Sequence, residues 1–192
     1  MFVSTKFREI GQQLFSLGYN NSHSGNISLR RRDSIFITHT GSMLHKLKSK
    51  DIVKVSIHPN PSADKKASME LGVHRAIYNS KSDVYSVIHA HAPYAIALVG
   101  DGTQKVIIPY DHEGQYYFDS IPTIVVKNGI ASQDVANKIS EFTKTAGAVI
   151  VAKHGIFAWG KDLNEALKYL TVTESICRVN FLVEGRNATK ND

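Results

Sequence analysis

Tyr85-Ser86-Val87-Ile88-His89-Ala90-His91 is an apolar run with two histidines at its end. Its length and its β-branched residues predict an extended strand. Alternate side chains of a strand face the same way, so His89 and His91 share a face and can grip one ion. His154, in Lys153-His154-Gly155, likewise ends an apolar run, Ala148 to Ala152. If the fold brings it in, three imidazoles form a site with an open position, as in a catalytic rather than a structural zinc centre. Imidazole suits copper, iron and nickel as well, so the pattern indicates a ligand set and leaves the metal to inference. A His-x-His pair alone also arises by chance. The surrounding chain must decide.

Outward from this strand, Pro93 opens a helix that Gly100 to Gly102 closes. On the other side, Leu71, Val73, Ala76 and Ile77 suggest a helix running from Ser68 to near Asn79, with Ser68 as its N-cap. Phe7, Ile10, Leu14, Phe15 and Leu17 fall at helical spacing before Gly18. Ile27 to Leu29 and Ile35 to Thr38 read as paired strands around Arg31-Arg32-Asp33, and Ile52 to Ile57 as a third strand that His58-Pro59-Asn60-Pro61-Ser62 ends. Val106 to Ile108 and Thr123 to Val126 look extended around a polar and aromatic loop from Tyr110 to Phe118. Val135, Ile139 and Phe142 mark a helix. Ala148 to Ala152 and Ile156 to Trp159 are strands meeting at His154-Gly155, and a last helix runs from Leu163 to about Gly185. Ala188-Thr189-Lys190-Asn191-Asp192 reads as a polar, frayed tail. Strands and helices mix without strict alternation, which predicts a mixed sheet with helices on both faces. No repeat or linker interrupts residues 1–192, so a single domain is expected.

The composition, 42% hydrophobic and 21% charged, is that of an ordinary soluble globular protein. Cys177 is the only cysteine, which excludes an internal disulfide framework and a Cys-rich zinc module. The N-terminal residues carry charge where a signal peptide needs an apolar core. No apolar run approaches the ~20 residues of a membrane span, and a cytoplasmic protein is expected. The net charge of +6 is spread along the chain. Arg30-Arg31-Arg32 and Lys46, Lys48 and Lys50 are locally dense but not interleaved with aromatics, so they indicate a solvated face rather than a nucleic-acid groove. A basic balance also suits an enzyme that gathers anionic substrates.

Further segments carry chemistry. In Ser24-Gly25-Asn26, glycine lets backbone amides approach a ligand and asparagine adds a side-chain donor. Thr38-His39-Thr40-Gly41-Ser42 is a second hydroxyl-and-glycine turn after a strand. Each is first of all a turn. In Ala67-Ser68-Met69-Glu70, a helix N-terminus would favour a phosphate, and Glu70 either complements the helix dipole or faces the histidines as a general base. His74 lies one turn on and either supports Glu70 or packs. Tyr110, in Ile107-Ile108-Pro109-Tyr110, offers a phenol for proton transfer or merely packs.

Ser-Gly-Asn-Ile-Ser-Leu-Arg (24–30), Ile-Thr-His-Thr-Gly (37–41), Ser-Met-Glu (68–70), Ile-His-Ala-His-Ala (88–92) and Lys-His-Gly (153–155) occur in that order. Together they resemble the class II aldolase/adducin family, closest to its fuculose phosphate aldolase-like members, over nearly the whole chain. The resemblance implies a three-layer α/β/α sandwich with a mixed, largely antiparallel central sheet. It implies that His89, His91 and His154 bind zinc or another divalent transition metal, and that Glu70 and Tyr110 are catalytic. Gly25, Asn26, Thr40, Gly41 and Ser68 match positions that hold a substrate phosphate. It also implies a homotetramer with active sites between subunits, Tyr110 reaching the site of a neighbour.

The activity so implied is retro-aldol cleavage of a ketose 1-phosphate to dihydroxyacetone phosphate and an aldehyde, through a metal-stabilised enediolate. Alternatives on the same scaffold are a pentulose-phosphate 4-epimerase, a methylthioribulose-phosphate dehydratase and an adducin-like binding module. Glu70 leans away from the epimerases, which carry Asp at the corresponding place, and the intact histidines lean away from a binding module. Three departures concern the phosphate and the distal end of the substrate rather than the metal. Met69 stands where a second phosphate-binding hydroxyl is usual, and His39 where proline is common. The chain also ends soon after the last helix, short of a tail that brings a further tyrosine in some members.

Overall fold

The amphipathic stretch at the N-terminus forms α1 (Val3–Ser16), which buries Phe7, Ile10 and Leu14 but leaves Phe15 exposed, as is Leu17 just beyond its end. Residues 3–188 are described by the structure, a computed structural model; the tail from 189 to 192 lies outside them. The strands are β1 (Asn26–Arg31), β2 (Ser34–Thr38), β3 (Ile52–Ser56), β4 (Ser86–Ala90), β5 (Val106–Ile107), β6 (Ile121–Ile124), β7 (Ala148–Val151) and β8 (Gly155–Gly160). They form one eight-stranded sheet in the order β3-β2-β1-β4-β8-β7-β6-β5. Only β6 and β7 run parallel; the other pairings are antiparallel. The expected mixed, largely antiparallel sheet is therefore observed.

The helices are α2 (Pro61–Asp64), α3 (Leu71–Ser80), α4 (Pro93–Leu98), α5 (His112–Tyr117), α6 (Gln133–Phe142) and α7 (Leu163–Ala188). Strand alternation divides the apolar residues between two cores. Ile88, Ala90, Ile156 and Ala158 face α1, α4 and α7. Val87, Phe157 and Trp159 face α3 and α6 on the other side. Each fully buried large side chain contributes roughly 1.5–3 kcal/mol of transfer free energy. The same alternation puts His89, between Ile88 and Ala90, on the α3/α6 face. Among the described residues, no helix is long and apolar enough to cross a membrane.

The structure corrects the expected elements in two places. α3 begins at Leu71, because Ser68 closes the preceding turn: its hydroxyl accepts the Glu70 amide at 3.3 Å, and its carbonyl accepts that of Leu71 at 3.0 Å. The segment expected as a loop from Tyr110 to Phe118 contains α5, started by Asp111, whose carboxylate accepts the Gly114 amide at 2.8 Å. Its aromatic residues show no helical period, and the helix is held by packing: a Cβ at Gly114 would stand 2.8 Å from Ile176 of α7. Asn60 and Pro61 similarly start the short α2, as an N-cap and an N1 proline do.

Candidate functional site

β4 ends at Ala90, so His89 projects from its last turn of pleat and His91 from the residue just beyond. His154 immediately precedes β8, which pairs with β4 in the register His89↔Phe157 and Ala90↔Ile156. Gly155 makes this approach possible. Its φ of +149° is a glycine conformation, and a Cβ there would stand 2.3 Å from the Ala90 carbonyl oxygen. The outcome is a cluster in which the ligand atoms of His89, His91 and His154 all lie within 4.8 Å of one another. His89 Nε2 is 3.2 Å from His154 Nε2 and 3.1 Å from His91 Nε2.

The surroundings suit the rings to metal ligation. His89 Nδ1–H donates to the Ile156 carbonyl at 2.9 Å, which leaves the Nε2 lone pair for a metal. Its ring stacks on Phe157 with centroids 4.1 Å apart. The His91 amide donates to Asn20 Oδ1 at 3.1 Å. Burial, and then the neighbouring imidazoles, hold the pKa of His89 well below its ordinary value; burial also lowers that of His91. His154 is pulled down to about 4 by burial first and by His91 second, the backbone of Gly129 acting the other way. Near neutral pH all three are unprotonated donors, which metal ligation requires.

Glu70 completes the cluster. It occupies the N-cap position of α3, yet its carboxylate caps nothing. Instead Oε1 accepts the Ala131 amide at 2.9 Å and lies 3.6 Å from His154 Nε2. Oε2 is buried and has no hydrogen-bond partner. Burial raises the pKa of Glu70, against the smaller opposing effect of the Ala131 amide. A buried carboxyl of raised pKa facing the neutral imidazole of His154 suits proton transfer beside a cation.

Residues 5–181 match the family of the class II aldolase and adducin N-terminal domain. The chain belongs to this family. An L-fuculose phosphate aldolase of Methanococcus maripaludis is 29% identical over 182 residues, covering 94% of this chain and 97% of that relative. A probable bifunctional methylthioribose-1-phosphate isomerase/methylthioribulose-1-phosphate dehydratase of Nocardia farcinica is 27% identical over 88% of this chain and 33% of its own length. The crystal structure of l-fuculose-1-phosphate aldolase from Thermus thermophilus superposes with a TM-score of 0.87 at 28% identity, covering 98% of this chain and 96% of that one.

Within this class II aldolase fold, Gly25 and Asn26 lie against His89, and the Thr38–Gly41 turn is hydrogen-bonded to Ala67 and Ser68 and, through Thr38, to Ile27 of β1. Asn26 stands across from His89 in the β1–β4 register. Gly25 precedes it at φ +76°, and a Cβ there would stand 2.7 Å from the His89 carbonyl oxygen. An isolated bridge joins His39 to Ala67, and the Ser68 amide donates to the Thr38 carbonyl at 3.0 Å. Thr40 Oγ1 donates to the Ala67 carbonyl at 2.7 Å. Gly41 has φ +75° and open space where a side chain would stand. Tyr110 is placed elsewhere: its amide donates to Asn180 of α7 at 3.2 Å, and its ring is 60% exposed. Met69, 64% exposed, lies between buried Ser68 and Glu70.

Three contributors escaped the sequence reading. Asn20 holds the His91 backbone from a stretch that read only as loop. The Ala131 amide, from a residue at φ 49°, orients Glu70 and has no side-chain signature, although Asn128-Gly129 marks the turn that bears it. Glu174 of α7 accepts the amides of Tyr94 and Ala95, both at 2.8 Å, and so anchors the start of α4 just after His91. An acid four residues after buried Leu170 on an apolar helix was its available signal.

Proposed function

We propose that the protein is a zinc-dependent aldehyde-lyase that cleaves a ketose 1-phosphate of the fuculose or ribulose type into dihydroxyacetone phosphate and an aldehyde. Family membership and the fuculose phosphate aldolase relatives support an aldolase-type lyase. The observation that carries the reading is the meeting of three imidazoles with a buried carboxylate whose Oε2 has no partner. That donor set fits a divalent zinc ion with one coordination position left open. His89, His91 and His154 hold the ion, which when bound supplies Lewis acidity at the ketose carbonyl.

The chain's own groups account for the rest. Gly25, Asn26, Thr40, Gly41 and Ser68 bind the phosphate and so fix the ketose end beside the histidines. In cleavage, the Tyr110 oxygen takes the C4 hydroxyl proton as its own hydrogen passes to solvent, which its exposure allows; the O–H pair becomes the aldehyde carbonyl, and the C3–C4 pair passes to C3. Glu70 then delivers a proton to C3, a role that its burial favours by favouring the protonated carboxyl. The exposed ring of Tyr110 fits a phenol that serves the site of a second copy. The reading therefore takes residues 1–192 as one domain of a cytoplasmic homotetramer with sites between subunits.

The test is conversion of L-fuculose 1-phosphate and ribulose 1-phosphate, following dihydroxyacetone phosphate, with and without chelator. Cleavage that chelation stops and zinc restores supports the reading. Chelator-insensitive cleavage contradicts the zinc role. Loss of water from a methylthioribulose phosphate in place of cleavage, as the name of the Nocardia relative suggests for that protein, contradicts the aldolase assignment.

A further inference from the structure

Asn26 and His89 are directly opposed in the β1–β4 pairing. Opposed residues of an antiparallel pair project from the same face with Cβ atoms roughly 5 Å apart, so the Asn26 amide borders the histidine cluster. An amide offers either an N–H donor or a carbonyl acceptor, and a half-turn about its last bond exchanges them within nearly the same shape. Whichever end is held from behind leaves the other for a ligand.

Behind Asn26 runs a buried chain of polar groups. His74 Nε2 lies 2.6 Å from Asn26 Oδ1, and its Nδ1 lies 2.6 Å from Ser28 Oγ. Ser28 Oγ is 2.7 Å from the Tyr78 hydroxyl. Ser28, His74 and Tyr78 are all buried. Such a chain has two self-consistent senses, with its hydrogens pointing towards Asn26 or away from it. Tyr78 decides between them. Among the described residues, the hydrogen bond of its buried hydroxyl is the one to Ser28 Oγ. A buried phenol needs an acceptor for its hydrogen, and Ser28 Oγ is the acceptor in reach. The reverse sense would leave a buried O–H without an acceptor.

From there the order is fixed. Ser28 donates to His74 Nδ1, His74 is the Nε2–H tautomer, and Nε2–H donates to Asn26 Oδ1. Burial keeps both ends neutral, pulling His74 down to about 3 and pushing Tyr78 up, so no charge reverses the chain.

We infer that His74, with Ser28 and Tyr78 behind it, is a positioning residue that pins the Asn26 carbonyl and leaves the Asn26 NH2 as the group offered beside His89. The cleft then accepts an oxygen acceptor such as a phosphoryl or carboxylate oxygen at this point and disfavours a donor such as an ammonium group. The use of Asn26 towards substrate rests on the proposed function; the sense of the relay does not.

Two measurements test it. Long-range proton–nitrogen correlation NMR of the zinc-loaded protein reads the His74 tautomer, with the His74→Gln spectrum assigning the resonances. We expect Nε2–H in the wild type, and loss of a single tautomer in Tyr78→Phe, where Ser28 loses its fixed donor. An Nδ1–H tautomer in the wild type overturns the relay. The second measurement is the kinetics of L-fuculose 1-phosphate cleavage. One misoriented hydrogen bond corresponds to about a tenfold loss of affinity. KM should therefore rise about tenfold in Tyr78→Phe and in His74→Leu, with kcat within about twofold, as for lost uniform binding. Zinc content should stay unchanged. His74→Gln, whose amide nitrogen reaches near the place of Nε2, should recover most of the loss. Unchanged KM in Tyr78→Phe, a conservative change that keeps the core filled, overturns the positioning role. If the wild type cleaves no ketose phosphate, the proposed function fails, and the tautomer still decides the relay.

Discussion

Glu70 Oε1 and His154 Nε2 lie 3.6 Å apart, both side chains almost wholly buried. The carboxylate sits at a helix start without capping it, so the fold forgoes a stabilising contact to aim this group at the histidines. Glu70→Gln keeps the shape and the bond from the Ala131 amide but removes the transferable proton. Turnover should fall roughly 100- to 10,000-fold, the usual worth of general acid–base catalysis, with zinc content unchanged. The metal-free variant should also gain about 1 kcal/mol of stability, because a buried charge is removed. Elemental analysis, steady-state rates and thermal unfolding check the three parts; retained turnover refutes the role of Glu70.

Asp64 of α2 and Arg75, in the middle of α3, make the fold acid-sensitive. The guanidinium donates to both carboxylate oxygens, at 2.7 and 2.9 Å, and to the Ser56 and His58 carbonyls. The hydrogen bonds from Arg75 hold the Asp64 carboxyl below its usual range. A carboxyl depressed in the folded state stabilises it above the unfolded pKa of about 3.9, and that stability disappears as pH falls through the folded value. Asp64→Asn should therefore cost about 1–2 kcal/mol near neutral pH, and its difference from wild type should shrink below about pH 4. Denaturant unfolding across that range measures it; a difference independent of pH contradicts the pairing.

Glu174 fixes the chain just after His91 through the first amides of α4. Glu174→Ala should lose roughly 2–4 kcal/mol, since buried donors are left without a partner. Glu174→Gln, which keeps one acceptor oxygen, should lose less. Zinc affinity should fall with stability in the alanine variant, as the placement of His91 loosens. Unfolding midpoints and zinc titration give the two readings, and wild-type affinity in Glu174→Ala would refute the link.

Gly155→Ala should damage the site without touching a ligand. A methyl group at this position would stand 2.3 Å from the Ala90 carbonyl oxygen and 3.1 Å from the His91 Cα, on a backbone at φ +149°. β4 and β8 must separate where they bring the histidines together. We expect a loss of about 3 kcal/mol or more and weakened zinc binding, read by calorimetry. Undiminished binding contradicts the close approach.

Much of this architecture was legible because period-two and helical patterns report burial directly. The strand period already paired His89 with His91, although β4 itself ends at Ala90, and their neighbours Ile88 and Ala90 mark the opposite core. That His154, the turn at Gly25 and Glu70 belong with the histidine pair came through resemblance, since spacing cannot state which distant segments meet. α5 escaped because Tyr116 and Tyr117 pack through aromatic contacts without an apolar period. Ser68 looked like the cap of α3 and instead closes the turn before it, which is what leaves Glu70 at the helix entrance facing inward. The Ala131 amide and Asn20 act through backbone groups and one loop amide, and these become specific only once the sheet has formed.

The proposed function depends on metal-dependent cleavage at the three-histidine centre. Its most direct test is the rate of dihydroxyacetone phosphate release from L-fuculose 1-phosphate as zinc is titrated into metal-free protein, alongside His89→Ala. The rate should climb from near zero and saturate at about one ion per chain, the capacity of a single three-ligand site, with no response in the variant. Release that is independent of added zinc, or an equal response in His89→Ala, would contradict it.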